Sequence, residues 1–96
     1  MSGMEAVLWY VLSGTRGGPN RVAILTALRD RPRNPNQLAE DLDLNYDTVR
    51  HHLDVLEDND VVTASGDEYV AVYLPSDAVR NNWETVETIT ETIDRA

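Results

Sequence analysis

A mainly α domain of five helices with one two-stranded β-hairpin is the class that this 96-residue sequence predicts. Three observations carry that prediction. Residues 34–62 contain two short amphipathic helical patterns, each opened by an asparagine and separated by a tight turn. Residues 61–74 switch from helical spacing to β-branched and alternating apolar residues around Ser65-Gly66-Asp67, which reads as a hairpin. Further helical segments with apolar faces lie on both sides of this unit and bring the helix count to five.

In chain order, Met4, Val7, Leu8, Trp9, Val11 and Leu12 form a short apolar segment ended by Ser13-Gly14. It reads most easily as a helix, although Val7 to Val11 would also suit a strand. Residues 14–18 are glycine-rich without the lysine and spacing of a phosphate loop, and so predict a flexible connection. Pro19 to Asp30 predicts a helix capped by Gly18 or Asn20, with Ile24, Leu25 and Leu28 on one face. The next helix has Asn34 as its cap, Pro35 at the first helical position and Gln37 three residues after the cap. Its apolar face is Leu38, Ala39 and Leu42, and Leu44 can fill the turn that follows.

Asn45 caps again, and Val49, His52/Leu53 and Leu56 mark a buried stripe on a helix of about three or four turns. Tyr46, Asp47, Arg50, His51 and Asp54 are left on the opposite side, with Thr48 near the first turn. Residues 61–63 and 69–74 then make the hairpin. Ser76 or Asp77 caps a last helix in which Val79, Trp83, Val86, Ile89 and Ile93 are spaced 4, 3, 3 and 4, a near-heptad seam.

Two helices joined by a short turn could be a plain amphipathic hairpin, but the β-hairpin after them makes the order that of a winged helix-turn-helix. The stretches GPNRVAILTAL (residues 18–28) and QLAEDLDLNYDTVRHHLDVLEDNDVV (residues 37–62) resemble the ArsR-like regulators, including Thr48-Val49 and His52-Leu53. The resemblance covers residues 18–74 well and the terminal helices by architecture alone. It implies a dimeric transcription regulator whose recognition helix, about 45–59, enters the major groove of double-stranded DNA while the wing touches the backbone. The candidate contacts are Arg33, Gln37, Asn45, Tyr46, Thr48, Arg50 and His51. Hydroxyls, imidazoles and guanidinium groups can all bond base edges or phosphates, and Arg31 and Arg33 precede a helix N-terminus whose amides favour phosphate.

Three departures from the family pattern stand out. Asp43 and Asp60 occupy positions where such sequences usually carry glycine after a helix, and aspartate enters the left-handed conformation more easily than most side chains. Metal-sensing members use cysteine clusters, or histidine and carboxylate ligands on the last helix. This chain has no cysteine and no histidine there, and His51 and His52 point about 100° apart on a helix. No metal, cofactor or cysteine redox sensor is therefore expected. The wing, finally, has no basic residue, and its tip, Gly66-Asp67-Glu68, would repel phosphate.

Length predicts a single domain over residues 1–96, with 1–13 and 76–96 as dimerisation helices through Leu8, Trp9, Trp83, Val86, Ile89 and Ile93. The competing expectation is that both ends pack on their own domain. No apolar run reaches the roughly 18 residues of a membrane helix and no secretion signal opens the chain, so a cytoplasmic protein is expected. No nucleophile elbow, phosphate loop or ligand set argues for an enzyme.

The net charge of −9 is unusual for a DNA partner, but it is unevenly spread. Residues 1–50 hold six arginines and six acids, whereas residues 51–96 hold two arginines against eleven acids. All eight basic residues are arginine. Strong acidity without lysine resembles the proteins of salt-in halophilic archaea, where molar salt screens self-repulsion. The acidic wing and Asp54, Glu57 and Asp58 keep a second function in view: a winged-helix protein-interaction module without DNA binding. An effector ligand is neither implied nor excluded.

Overall fold

Six helices and one antiparallel hairpin form in the order α1 (Gly3–Ser13), α2 (Gly18–Asp30), α3 (Pro35–Leu42), α4 (Tyr46–Asp58), β1 (Val62–Ser65), β2 (Val72–Pro75), α5 (Asp77–Arg80) and α6 (Trp83–Arg95). This computed structural model describes residues 3–66 and 71–95.

The caps explain where the central helices begin. Asn34 Oδ1 accepts from the Gln37 amide at 2.8 Å while Gln37 Oε1 accepts from the Asn34 amide at 2.9 Å, a reciprocal capping box. Asn45 Oδ1 accepts from the Asp47 amide at 2.8 Å and starts α4. Asp43 and Asp60 both take the left-handed conformation, at φ 55° and 60°, so each reverses the chain where glycine would do so without a Cβ penalty. The Leu44 amide reaches the Ala39 carbonyl at 2.9 Å and closes the turn between α3 and α4.

Four sequence expectations need correction. The described residues form six helices, because Asn81 and Asn82 break the expected last helix after one turn: the Asn82 amide turns back to the Val79 carbonyl, and α6 starts at Trp83. Asparagine competes for backbone hydrogen bonds with its own amide, and Asn82 Nδ2 bonds the Ala78 carbonyl at 2.8 Å. The cap of α2 is Gly17, with Pro19 in the first turn, rather than Gly18 or Asn20. Residues 14–18 are not a loose connection, since a Cβ on buried Gly18 would lie 2.1 Å from the Leu12 carbonyl oxygen. Glycine is required there so that the start of α2 can press against the end of α1. The second strand starts at Val72; Tyr69 and Val70, like Asp67 and Glu68 of the expected tip, lie outside the described residues.

The N-terminal segment is helical, which settles the choice between helix and strand. Helix α1 packs on α2 and α6, α3 packs on α4, and the hairpin packs on α2 and α4. In the hairpin Val62 pairs with Pro75 and Ala64 with Tyr73. Leu8, Val11, Leu12, Ile24, Leu25, Leu28, Leu38, Val49, Leu53, Leu56, Val79, Val86 and Ile89 form one continuous core. The apolar seam of the C-terminal region therefore points inward. Leu8, Val86 and Ile89 are fully or almost fully buried within the chain and cannot at the same time form an exposed face; Trp83 is nearly buried, and Ile93 packs partly on the core. Trp9 alone among the six expected interface residues is exposed, at 37%, with Tyr10 beside it at 65%.

Candidate nucleic-acid interface

Helix α4 turns Val49, His52, Leu53 and Leu56 into the core, so its outer strip is Asp47, His51, Asp54 and Asp58. Tyr46 and Arg50 lie on the flank towards the hairpin, and Thr48 lies half-buried on the other flank. The hydrogen-bonding residues Asn45, Tyr46, Thr48, Arg50 and His51 thus share the first half of the helix. Asp54, Glu57 and Asp58 make its second half acidic and exposed. The N-terminal end of the helix favours a polyanion at the first turns, where Asp47 is the one acid, and like charge accumulates further along.

Arg50 is the cation on this surface that the fold holds in place. Its Nη1 donates to the Tyr73 hydroxyl at 3.1 Å and its Nη2 to Asp54 Oδ1 at 3.3 Å, with the guanidinium carbon 6.0 Å from the Tyr73 ring centre. The hydrogen bond to Tyr73 raises the Arg50 pKa against the opposing effect of burial, and Asp54 and Tyr46 add to the rise. Asn34, Asn36, Tyr46, Arg50 and Tyr73 line a small polar slot between the start of α3, the start of α4 and the wing.

The other expected contact residues divide by location. Asn45 and Gln37 are exposed, but Asn45 Oδ1 and Gln37 Oε1 are engaged in caps. His51 is exposed, and its ring stands 5.4 Å from that of His52 at a 56° tilt. Arg33 is not on the surface as expected. Its side chain is 11% exposed, donates to the Ala27 carbonyl at the end of α2, and pairs with Asp41 at 2.9 Å and Asp30 at 3.5 Å. The Nε contact with Asp41 is an ion pair whose angle falls outside hydrogen-bond geometry. Arg33 also exchanges backbone hydrogen bonds with Tyr73, at 3.3 and 2.8 Å. It ties α2, α3 and the wing together.

Tyr73 is the residue that the sequence reading missed. It was visible only as one apolar member of a strand, and the signal available was its chemistry: a tyrosine that buries its ring must place a hydroxyl somewhere. Behind the surface, Arg21 is buried and bonds the Val11 carbonyl, the Thr15 hydroxyl and His52 Nδ1. Burial first, then Arg21 and His51, lowers the His52 pKa below its ordinary value. Among the described residues no group of three or more His, Cys, Asp or Glu side chains is placed to hold a metal ion, and no helix is long and apolar enough to cross a membrane.

Two capped helices, the second exposed along its first turns and flanked by a short hairpin, define a winged helix-turn-helix. Residues 18–64 match the model of the arsR family of bacterial regulatory proteins. The fold is similar to that of Rv0081 from M. tuberculosis, at 23% identity and a TM-score of 0.72 over 96% of this chain and 92% of that one. An ArsR-like transcriptional regulator from Rhodococcus sp. RHA1 is similar at 21% identity, with a TM-score of 0.66 over 99% and 88% of the two chains. The transcriptional regulator HlyU from Vibrio vulnificus is similar at 19% identity and 0.66 over 95% and 86%. No curated protein sequence matches the chain.

Proposed function

We propose that this chain is an ArsR-family transcription regulator that binds double-stranded DNA as a homodimer, with the first turns of α4 in the major groove. The observation that carries this reading is the concentration of Asn45, Tyr46, Thr48, Arg50 and His51 at the capped start of an exposed helix, within the segment that matches the family model. The major groove admits a helix and presents donors and acceptors that these side chains can read. The similarity to regulators of the same fold supports it. The homodimer reading is supported by exposed Trp9 and Tyr10 on α1, large rings that a partner copy would cover.

Acidity is read here as adaptation to concentrated salt, of the kind found in halophilic archaea, and not as a repellent of the target. A fluorescence-polarisation titration with genomic duplex fragments in high potassium chloride tests the regulator reading. Saturable binding that survives competitor DNA is expected; no binding at any salt concentration would overturn it. In that event the exposed acids Asp54, Glu57 and Asp58 favour a second reading, a winged-helix module that docks on a basic protein.

A further inference from the structure

We propose that Tyr73 of the wing is a positioning residue that holds the Arg50 guanidinium for guanine recognition, so that the wing contributes to base specificity rather than to phosphate binding. This rests on the DNA-binding reading above. The hydroxyl of Tyr73 is held from three directions. The residue is 5% exposed and belongs to the core, its backbone is bonded on one side to Arg33, and on the other it stands in register with Ala64 of β1. The oxygen that meets Arg50 Nη1 at 3.1 Å is therefore fixed by the sheet and the core, not by a mobile surface chain.

Asp54, one turn beyond Arg50, takes Nη2 at 3.3 Å. Two ties on two different nitrogens, with the ring at 6.0 Å, set both the position and the plane of the guanidinium. Arginine has five N–H donors, so most remain after these two bonds. The Arg50 side chain is still 37% exposed and faces the slot shared with Tyr46, Asn34 and Asn36. A planar donor pair held in one orientation suits the O6 and N7 acceptors of guanine, and ordering it before binding removes part of the entropic cost. Phosphate can take the same planar fork, so the two targets are separated by whether a loss falls on one base position or on all of them. A neutral hydroxyl orients the group and leaves its charge in place.

The test uses selection from a randomised duplex pool in high potassium chloride, with the full chain as wild type, Arg50→Ala, Tyr73→Phe and Asp54→Asn. Wild type should enrich a motif, and Arg50→Ala should erase a guanine preference at one position in each half-site. Tyr73→Phe should weaken that same preference by roughly two- to tenfold, the scale of one hydrogen bond, and leave the other positions alone, whereas Asp54→Asn, which keeps an acceptor oxygen for Nη2, should retain it. A wild-type profile in Tyr73→Phe, or an equal loss at every position, would overturn the positioning role while leaving the regulator reading intact. If the wild type enriches nothing, the regulator reading fails and this assignment fails with it. In the DNA-free protein, the Arg50 Nη resonances should be resolved by restricted rotation in wild type and averaged in Tyr73→Phe; averaging already in wild type overturns the assignment without any DNA.

Discussion

Arg21 Nε donates to His52 Nδ1 at 3.2 Å, which joins a buried cation on α2 to the inner face of the exposed helix α4. The bond requires His52 to be neutral at Nδ1. Burial, Arg21 and His51 all push in that direction. A Cβ at Gly17 would lie 2.7 Å from the imidazole and 2.8 Å from the Arg21 guanidinium, so the loop before α2 leaves these groups little room.

The first prediction concerns pH. A histidine whose folded pKa lies below its unfolded value of 6.5 takes up its proton more readily when the chain is unfolded. Stability should be unaffected by this group well above pH 6.5, fall as the pH drops below it, and level off below the lowered folded value. Denaturant midpoints between pH 5 and 8 measure this. His52→Leu should have a lower plateau, because Arg21 Nε loses its acceptor, and a flatter slope; a wild-type midpoint constant across the range would contradict the linkage.

Arg33 should act on stability and not on affinity. Arg33→Ala leaves the Ala27 carbonyl and Asp41 without their cation and should cost about 1–3 kcal/mol of folding stability. DNA affinity measured well below the melting temperature should change little. A normal melting midpoint with tenfold weaker binding would return Arg33 to the contact surface.

In the core, Leu53→Ala should destabilise by about 2–5 kcal/mol through lost burial and the cavity left behind, since Leu53 is fully buried under α4. Calorimetry checks it. A neutral effect would mean that α4 is rotated from the orientation described.

At the turns, Asp60→Gly and Asp43→Gly should each stabilise by a few tenths to about 1 kcal/mol, because both aspartates sit at positive φ. Asp60→Val should do the reverse. Equal melting midpoints for all three would show that aspartate carries no strain there.

Assembly is best probed at Trp9, since Val86 and Ile89 are core residues whose replacement by aspartate would unfold the chain. Trp9→Glu should shift sedimentation in high salt from dimer to monomer with a modest drop in melting temperature, since Trp9 is only 37% exposed within the chain. A wild type that is monomeric at micromolar concentration removes the dimer.

The sequence revealed what short-range chemistry decides. The Asn34–Gln37 capping box, the Asn45 cap, the aspartates at Asp43 and Asp60 and the buried stripe of α4 depend on neighbours within a few residues, and each was visible as a residue type at a spacing. What stayed hidden depends on residues far apart in sequence. Arg33 looked like a phosphate ligand until Ala27, Asp41 and Tyr73 closed around it. Val86 and Ile89 resembled a partner-facing seam because a heptad pattern does not say whether its partner is another chain or α1. Arg50 was identified as a contact residue, but nothing in its local pattern pointed to Tyr73, 23 residues away.

The backbone pairing of Arg33 with Tyr73 also bears on self-association. Strand β2 is hydrogen-bonded on one edge to β1 and capped on the other at Tyr73 by Arg33, so little of its backbone is open to an incoming strand. Among the described residues the fully open edge is that of β1, four residues long, with Thr63, Ala64 and Ser65 exposed. Unpaired edges are the templates on which chains add to one another and grow into fibrils, and so short an edge is a poor one. This wing can thus remain on the surface, close to a binding partner, without recruiting a second wing into an extended sheet.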